Sequence, residues 1–143
     1  MGISDEDKIE LLTNCRVIAV IGLSPKENRP SHGVAKKLQE FSFRIVPVRP
    51  AVTTILGEKV YKTLSDIPFK IDLVNVFRAS EYVPEIVEEC IECSIEAIWL
   101  QEGIIHIDAA KKAEKSGMKV IMDQCIYKEI IRLGINLVDT EQK

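Results

Sequence analysis

The chain has 143 residues, of which 46% are hydrophobic and 29% charged, with a formal net charge of -3. That composition is ordinary for a globular domain and excludes a disordered or fibrous chain, while the acidic balance argues against duplex nucleic acid as a bulk partner. About 150 residues per domain predicts a single domain over residues 1–143, with a real core and no room for a second substrate domain.

Residues 1–14 read as a helical lead-in. Val17-Ile18-Ala19-Val20-Ile21 is a continuous apolar run stopped by Gly22, the pattern of a strand buried on both faces. Ser31 is placed to cap a helix running through about Phe41, with Val34, Ala35 and Leu38 on one face. Arg44 to Val48 is the next strand, with Pro47 marking a bulge or an end, since proline cannot donate to a ladder. Gly57 to Tyr61 reads as a weak short strand, and Ser65-Asp66-Ile67-Pro68 as a turn.

Asp72 to Phe77 is a clear strand. A helix follows, with Pro84 in its first turn and Val83, Ile86, Val87, Cys90 and Ile91 as its apolar stripe. Ala97 to Gln101 is another strand, and Asp108 to Ser116 a helix closed by Gly117. Lys119 to Asp123 is the last strand, Ile126 to Leu133 the last helix, and residues 139–143 a polar tail expected to fray.

Strands and helices in alternation predict an α/β, Rossmann-like, doubly wound and mostly parallel sheet of five to six strands, with helices on both faces. No apolar run approaches the roughly 20 residues that span a bilayer. The acidic start, Asp5-Glu6-Asp7, does not resemble a signal peptide, so the expectation is a soluble cytoplasmic protein without a membrane partner. Cys15, Cys90, Cys93 and Cys125 are then expected as free thiols.

Ligands of open α/β sheets bind beyond the carboxyl ends of the strands, near the reversal of strand order. Five segments lie there. The first, Gly22 to Ser31, is longer than an ordinary βα turn and lacks G-x-G-x-x-G. Gly22 allows close backbone approach. Lys26, Arg29 and the hydroxyls of Ser24 and Ser31 offer phosphate contacts beside a helix N-terminus. The competing reading is a surface loop with two solvated cations.

The second, Val48-Arg49-Pro50, has Arg49 where an NAD-binding unit places an acid for the ribose. A guanidinium there suits a phosphate on the adenosine ribose, which leaves NADP and coenzyme A open, unless Arg49 simply points into water. Phe77-Arg78 offers an aromatic face and a cation, or merely an edge of the core. Gln101-Glu102-Gly103 offers an amide and a sharp turn. Cys125, in the fifth segment, stands where it would come within reach of a ligand thiol, although a packed free cysteine is the commoner case.

The run Ile18-Ala19-Val20-Ile21-Gly22-Leu23-Ser24-Pro25-Lys26, followed by Asn28-Arg29-Pro30-Ser31-His32-Gly33-Val34-Ala35, resembles the opening of the single-domain CoA-binding proteins. Those proteins are similar to the CoA-binding Rossmann domain of the succinyl-CoA synthetase alpha subunit. The likeness continues through Ile45 to Pro50, Leu56-Gly57-Glu58, Asp72 to Arg78, Trp99 to Ile104 and Met122-Asp123-Gln124-Cys125. It implies a non-catalytic binder of coenzyme A or a CoA thioester, acting as carrier, sensor or partner module.

By position, the resemblance implies that Gly22, Ser24, Lys26 and Arg29 contact the phosphate and pantetheine region, and that Val48, Arg49 and Pro50 flank the adenosine. Phe77 and Arg78 would close over the nucleotide, with Gln101 to Gly103 near the pantetheine. The chain departs from the family in three places. Arg49 stands where Asn is frequent, Gln124 where Arg is frequent, and Ile105-His106-Ile107 is more apolar than the usual helix start. The alternatives are an NADP-binding oxidoreductase and a CoA-linked thiol-redox protein using Cys125.

Cys90-Ile91-Glu92-Cys93 has redox spacing, but it lies late in a helix among Glu88, Glu89, Glu92 and Glu96, whose charges raise a thiol pKa. No second pair has zinc-site spacing, so no metal is expected. His32 and His106 read as helix-start residues, with no nucleophile and acid to complete a triad. Glu27 and Glu102 read as salt partners or solvated acids.

Overall fold

The five strands of the main sheet are uninterrupted β-branched and apolar runs because helices cover both of their faces. In the computed structural model, which describes residues 3–137, these strands are β1 (Val17–Ile21), β2 (Arg44–Val48), β5 (Leu73–Val76), β6 (Ala97–Leu100) and β7 (Lys119–Ile121). They lie in the order β2-β1-β5-β6-β7, and every pairing is parallel. Alternate residues point to opposite layers. Ala19, Val46, Val74, Val76, Ile98 and Leu100 pack under α3 (Val83–Glu92) and α4 (Ile107–Lys115). Ile18, Val20, Ile45, Leu73, Trp99 and Ile121 pack under α1 (Asp5–Asn14), α2 (Pro30–Glu40) and α5 (Ile126–Arg132).

The sheet is thus Rossmann-like and doubly wound. Among the described residues no helix is long and apolar enough to cross a membrane. The frayed tail expected at 139–143 lies outside the described residues, as do residues 1–2 of the lead-in.

Pro47 sits in an edge strand, as its missing N–H requires. Arg44 N and Val48 O bond inward, toward Arg16 and Gly22, so the alternate positions face the outer edge, where Pro47 O accepts from Tyr61 N at 3.0 Å. The weak strand expected at Gly57 to Tyr61 divides in two. Glu58–Lys59 (β4) pairs antiparallel with Thr54–Ile55 (β3), while Tyr61 makes a single bridge to Val48. The main sheet therefore has five strands rather than six.

The N-cap of α2 is Arg29, not Ser31, and Pro30 opens the helix, where an N–H is dispensable. Ser31 instead turns its hydroxyl to the preceding loop. The turn expected at Ser65 to Pro68 is a 3-10 turn over Leu64–Asp66. A second 3-10 turn, Ser80–Tyr82, leads into α3. In α4 the cap is His106, whose Nδ1 accepts from Ala109 N at 3.1 Å.

One partly buried ionic network ties α1 to α5. Lys8, 6% exposed, donates to Glu129 Oε1 at 2.9 Å and to Gln124 Oε1 at 2.7 Å. Arg132 bonds Glu129 and Asp5. The Arg132 guanidinium and then the Lys8 ammonium hold the Glu129 carboxyl down at a pKa of about 2, against the effect of burial. In the centre of the sheet Asn75 is fully buried, and neither atom of its amide finds a partner among the described residues.

Candidate functional site

The chain leaves β1 to one side, toward β2, and returns to the other side as β5. β1 and β5 are therefore neighbours whose following loops diverge, which opens a crevice at their carboxyl ends. The backbone is drawn tight at its floor. Gly22 N donates to Val48 O at 3.0 Å, and Phe77 N donates to Ile21 O at 2.9 Å. Gly22 has φ +85°, and a Cβ placed there would lie 2.9 Å from Phe77 O and 3.1 Å from Arg78 Cδ. Only glycine satisfies both the dihedral and the contact.

The long loop after β1 is folded on itself. Ser31 Oγ, on the first turn of α2, accepts from Ser24 N at 2.9 Å, and Ser24 Oγ accepts from Lys26 N at 3.1 Å. Both hydroxyls named as phosphate contacts thus also shape the loop. Arg49 closes it from the other side, its Nη1 donating to Leu23 O at 3.2 Å. Its Nε is buried without a partner among the described residues. Arg49 therefore does not point simply into water: it braces the loop and leaves donors uncommitted.

Opposite stands the loop after β6. Gln101, 5% exposed, accepts from Ile126 N at 3.0 Å through Oε1 and so anchors the start of α5. Gly103 N donates to Asp123 Oδ1 at 2.7 Å. Asp123 adopts φ +61°, a conformation that costs a non-glycine residue free energy. Lys128 and Glu102 pair at 2.9 Å, and that hydrogen bond, ahead of the carboxylate's charge, raises the lysine pKa.

Together these segments enclose a cleft of about 1000 Å³. Of the residues named from sequence, Gly22, Ser24, Lys26, Arg29, Arg49, Phe77 and Gln101 line it. The other four lie outside its lining. Val48 is buried and contributes through its carbonyl, while Pro50 is exposed. Arg78 lays its guanidinium 4.1 Å from the centroid of the Tyr82 ring. Gly103 is exposed and held by Asp123.

Gln124 turns its amide to Lys8, and neither histidine is part of the lining. His32 is buried within α2. Cys125 does line the cleft. Among the described residues no group of three histidine, cysteine or acidic side chains is arranged to hold a metal.

Sequence reasoning missed the walls that helices supply. Gly33, Val34 and Lys37 line the cleft from α2, and Tyr127 and Lys128 from α5. The signal was present in part: Pro30, Gly33, Val34 and Lys37 recur at helical spacing from the loop, so they share one face of α2. For Tyr127 and Lys128 no local signal existed. They are brought in by the packing of α5 on α2, where Phe41 and Tyr127 stack with ring centroids 5.9 Å apart.

The redox-spaced pair lies elsewhere. Cys90 is fully buried in α3, and burial first, then the Glu89 charge, pushes its thiol well above the usual range. Cys93, at the end of the same helix, is raised by burial, then by Glu89 and Glu92. Desolvation therefore leads over the acidic neighbours that sequence alone suggested.

The sequence model for the CoA binding domain matches residues 16–130. The uncharacterized protein YneT of Bacillus subtilis (strain 168) is 40% identical over 117 residues, covering 82% of this chain and 87% of that protein. The ADP-forming acetate–CoA ligase I of Archaeoglobus fulgidus is 32% identical over 128 residues, covering 82% of this chain but only 19% of the ligase. Among solved structures, a hypothetical protein from Pyrococcus horikoshii OT3 superposes with a TM-score of 0.89 at 36% identity, covering 92% of this chain and 93% of that one.

Proposed function

The chain belongs to the CoA-binding domain family, and on that premise we propose that it binds coenzyme A, or a CoA thioester, in the cleft at the carboxyl ends of β1, β5 and β6 without chemistry of its own. It would serve as a carrier, a sensor or a partner module in the cytoplasm, with any reaction supplied by another polypeptide. The observation that carries this reading is the Gly22–Phe77 approach, which forms the floor of a switch-point crevice lined by Lys26, Arg29, Lys37 and Arg49. A large ligand with several phosphates answers that pattern, since the lining combines these cations with the apolar and aromatic Val34, Phe77, Ile104 and Tyr127.

The residues fit the group. Gly22 leaves backbone room, Arg49 keeps an unpartnered buried donor, and Gln101 has an amide nitrogen to offer. In this reading Lys26 and Arg29 meet phosphate, Arg49 reads the phosphate on the ribose, and Phe77 packs against the organic part. Val48, Pro50, Arg78 and Gly103 act at the rim or through the backbone.

Calorimetry with CoA, dephospho-CoA, NADP and NAD on one preparation tests it. CoA is expected to bind tightest, with a loss for dephospho-CoA. Preferential NADP binding would overturn the proposal in favour of a nicotinamide cofactor.

A further inference from the structure

Of the four cysteines, Cys15 and Cys90 are sealed in the core and Cys93 lies outside the cleft lining, whereas Cys125 opens onto it. Cys125 is held firmly. It is 7% exposed and sits at the N-cap of α5, directly before Ile126, whose N–H is bound by Gln101.

Gln101 provides an independent observation. Its side chain is buried, and its Oε1 is committed to Ile126 N, which fixes the plane of the amide. Gln101 lines the cleft, and its Nε2 makes no hydrogen bond among the described residues. That donor is left free to meet a ligand acceptor. The pantetheine arm of CoA carries two amide carbonyls that lead to its sulfur, so an amide donor one residue from Cys125 in space fits a thiol delivered on such an arm. Lys128, in the first turn of α5, lines the same cleft with its ammonium paired to Glu102.

We propose that Cys125 is a covalent site for the CoA sulfur, formed by exchange with CoA disulfide. This rests on the CoA reading given above. The Cys125 thiolate attacks one sulfur of the disulfide, and the Cys125–CoA sulfur bond forms as the original S–S bond breaks. The second CoA leaves as thiolate and takes up a proton. Cys125 is oxidised and one CoA is reduced, so electrons balance with CoA disulfide as the only oxidant. Glutathione disulfide also carries amides but no phosphates for Lys26 and Arg29, so the cleft selects against it.

The test is incubation of the whole protein with CoA disulfide or with glutathione disulfide, followed by intact-mass and peptide-mapping spectra. Calorimetry with CoA is run on the same preparation. The expected result is a single CoA adduct on Cys125, reversed by dithiothreitol, and forming on the order of tenfold or more faster than the glutathione adduct because binding positions the sulfur. A Cys93→Ser variant should take the adduct as the parent does.

An adduct that maps to Cys93, or equal rates for the two disulfides, overturns the proposal. So does an absence of adduct from a preparation that binds CoA, which leaves the binding function standing. If calorimetry shows no CoA binding, both fall together.

Discussion

The α-carbon of Gly22 is so close to Phe77 that a methyl group there would meet the Phe77 carbonyl oxygen at 2.9 Å. That oxygen belongs to backbone and cannot swing aside. Gly22→Ala therefore forces β1 and β5 apart at their carboxyl ends and places alanine at φ +85°. The left-handed conformation alone costs about 1–2 kcal/mol. The variant is expected to melt lower and to lose CoA binding, as read by thermal unfolding and calorimetry. Unaltered CoA affinity would show that the cleft does not depend on this approach.

Arg49 combines two tasks, since its Nη1 already holds Leu23 O. Arg49→Ala should erase the difference between CoA and dephospho-CoA, worth roughly 1.5–3 kcal/mol for a charged contact. Arg49→Lys keeps the charge but loses the fork that braces the loop, so it should weaken both ligands while retaining part of the difference. A difference untouched by either change assigns the ribose phosphate to another cation.

The Lys8–Glu129–Arg132 network makes acid stability predictable. The Glu129 carboxyl is held at about 2 in the folded protein, below its ordinary 4.5. A depressed acid stabilises the fold above its ordinary pKa, and that contribution is lost as pH falls from 4.5 to about 2. Glu129→Gln should flatten the stability curve in that window, measured by denaturant unfolding at several pH values. Lys8→Met should cost about 1–3 kcal/mol at neutral pH, because it leaves Glu129 with one cation instead of two.

Asn75 buries an amide with no partner among the described residues, between Val20 and Trp99 of the neighbouring strands. An unsatisfied buried polar group costs about 1–3 kcal/mol. Asn75→Val, of similar size and suited to a strand, should raise the unfolding midpoint by a comparable amount. A lower midpoint would show that the amide has a partner such as an internal water.

Burial pushes the Cys90 thiol well up, so it stays protonated at neutral and mildly basic pH. Alkylation of the native protein with iodoacetamide should spare Cys90 until the chain is unfolded, while Cys93 and Cys125 react earlier. Peptide mapping gives the order, and early labelling of Cys90 would contradict the packing of α3.

The layered, parallel arrangement was readable because the strand runs are apolar on both faces and each is followed by a helix with a stripe. Val17–Ile21 and Arg44–Val48 were placed to the residue, whereas Asp72, Phe77, Gln101 and Asp123 fall just outside their strands. Those are positions where the ladder ends and side chains begin to serve loops. Ser31 is not the cap that its position suggests, because a hydroxyl near a helix start has two uses, and here Ser24 N claims it.

From residue order alone came the fold, the crevice at the strand ends and most of its polar lining, because loop residues after a strand are fixed by the sheet itself. Tertiary packing decided the rest. Tyr127 and Lys128 reach the cleft because α5 rests on α2, Gln124 turns away because Lys8 draws its oxygen, and Arg78 lies on Tyr82. Each outcome pairs groups distant in sequence or chooses between competing partners, and no local spacing encodes that choice.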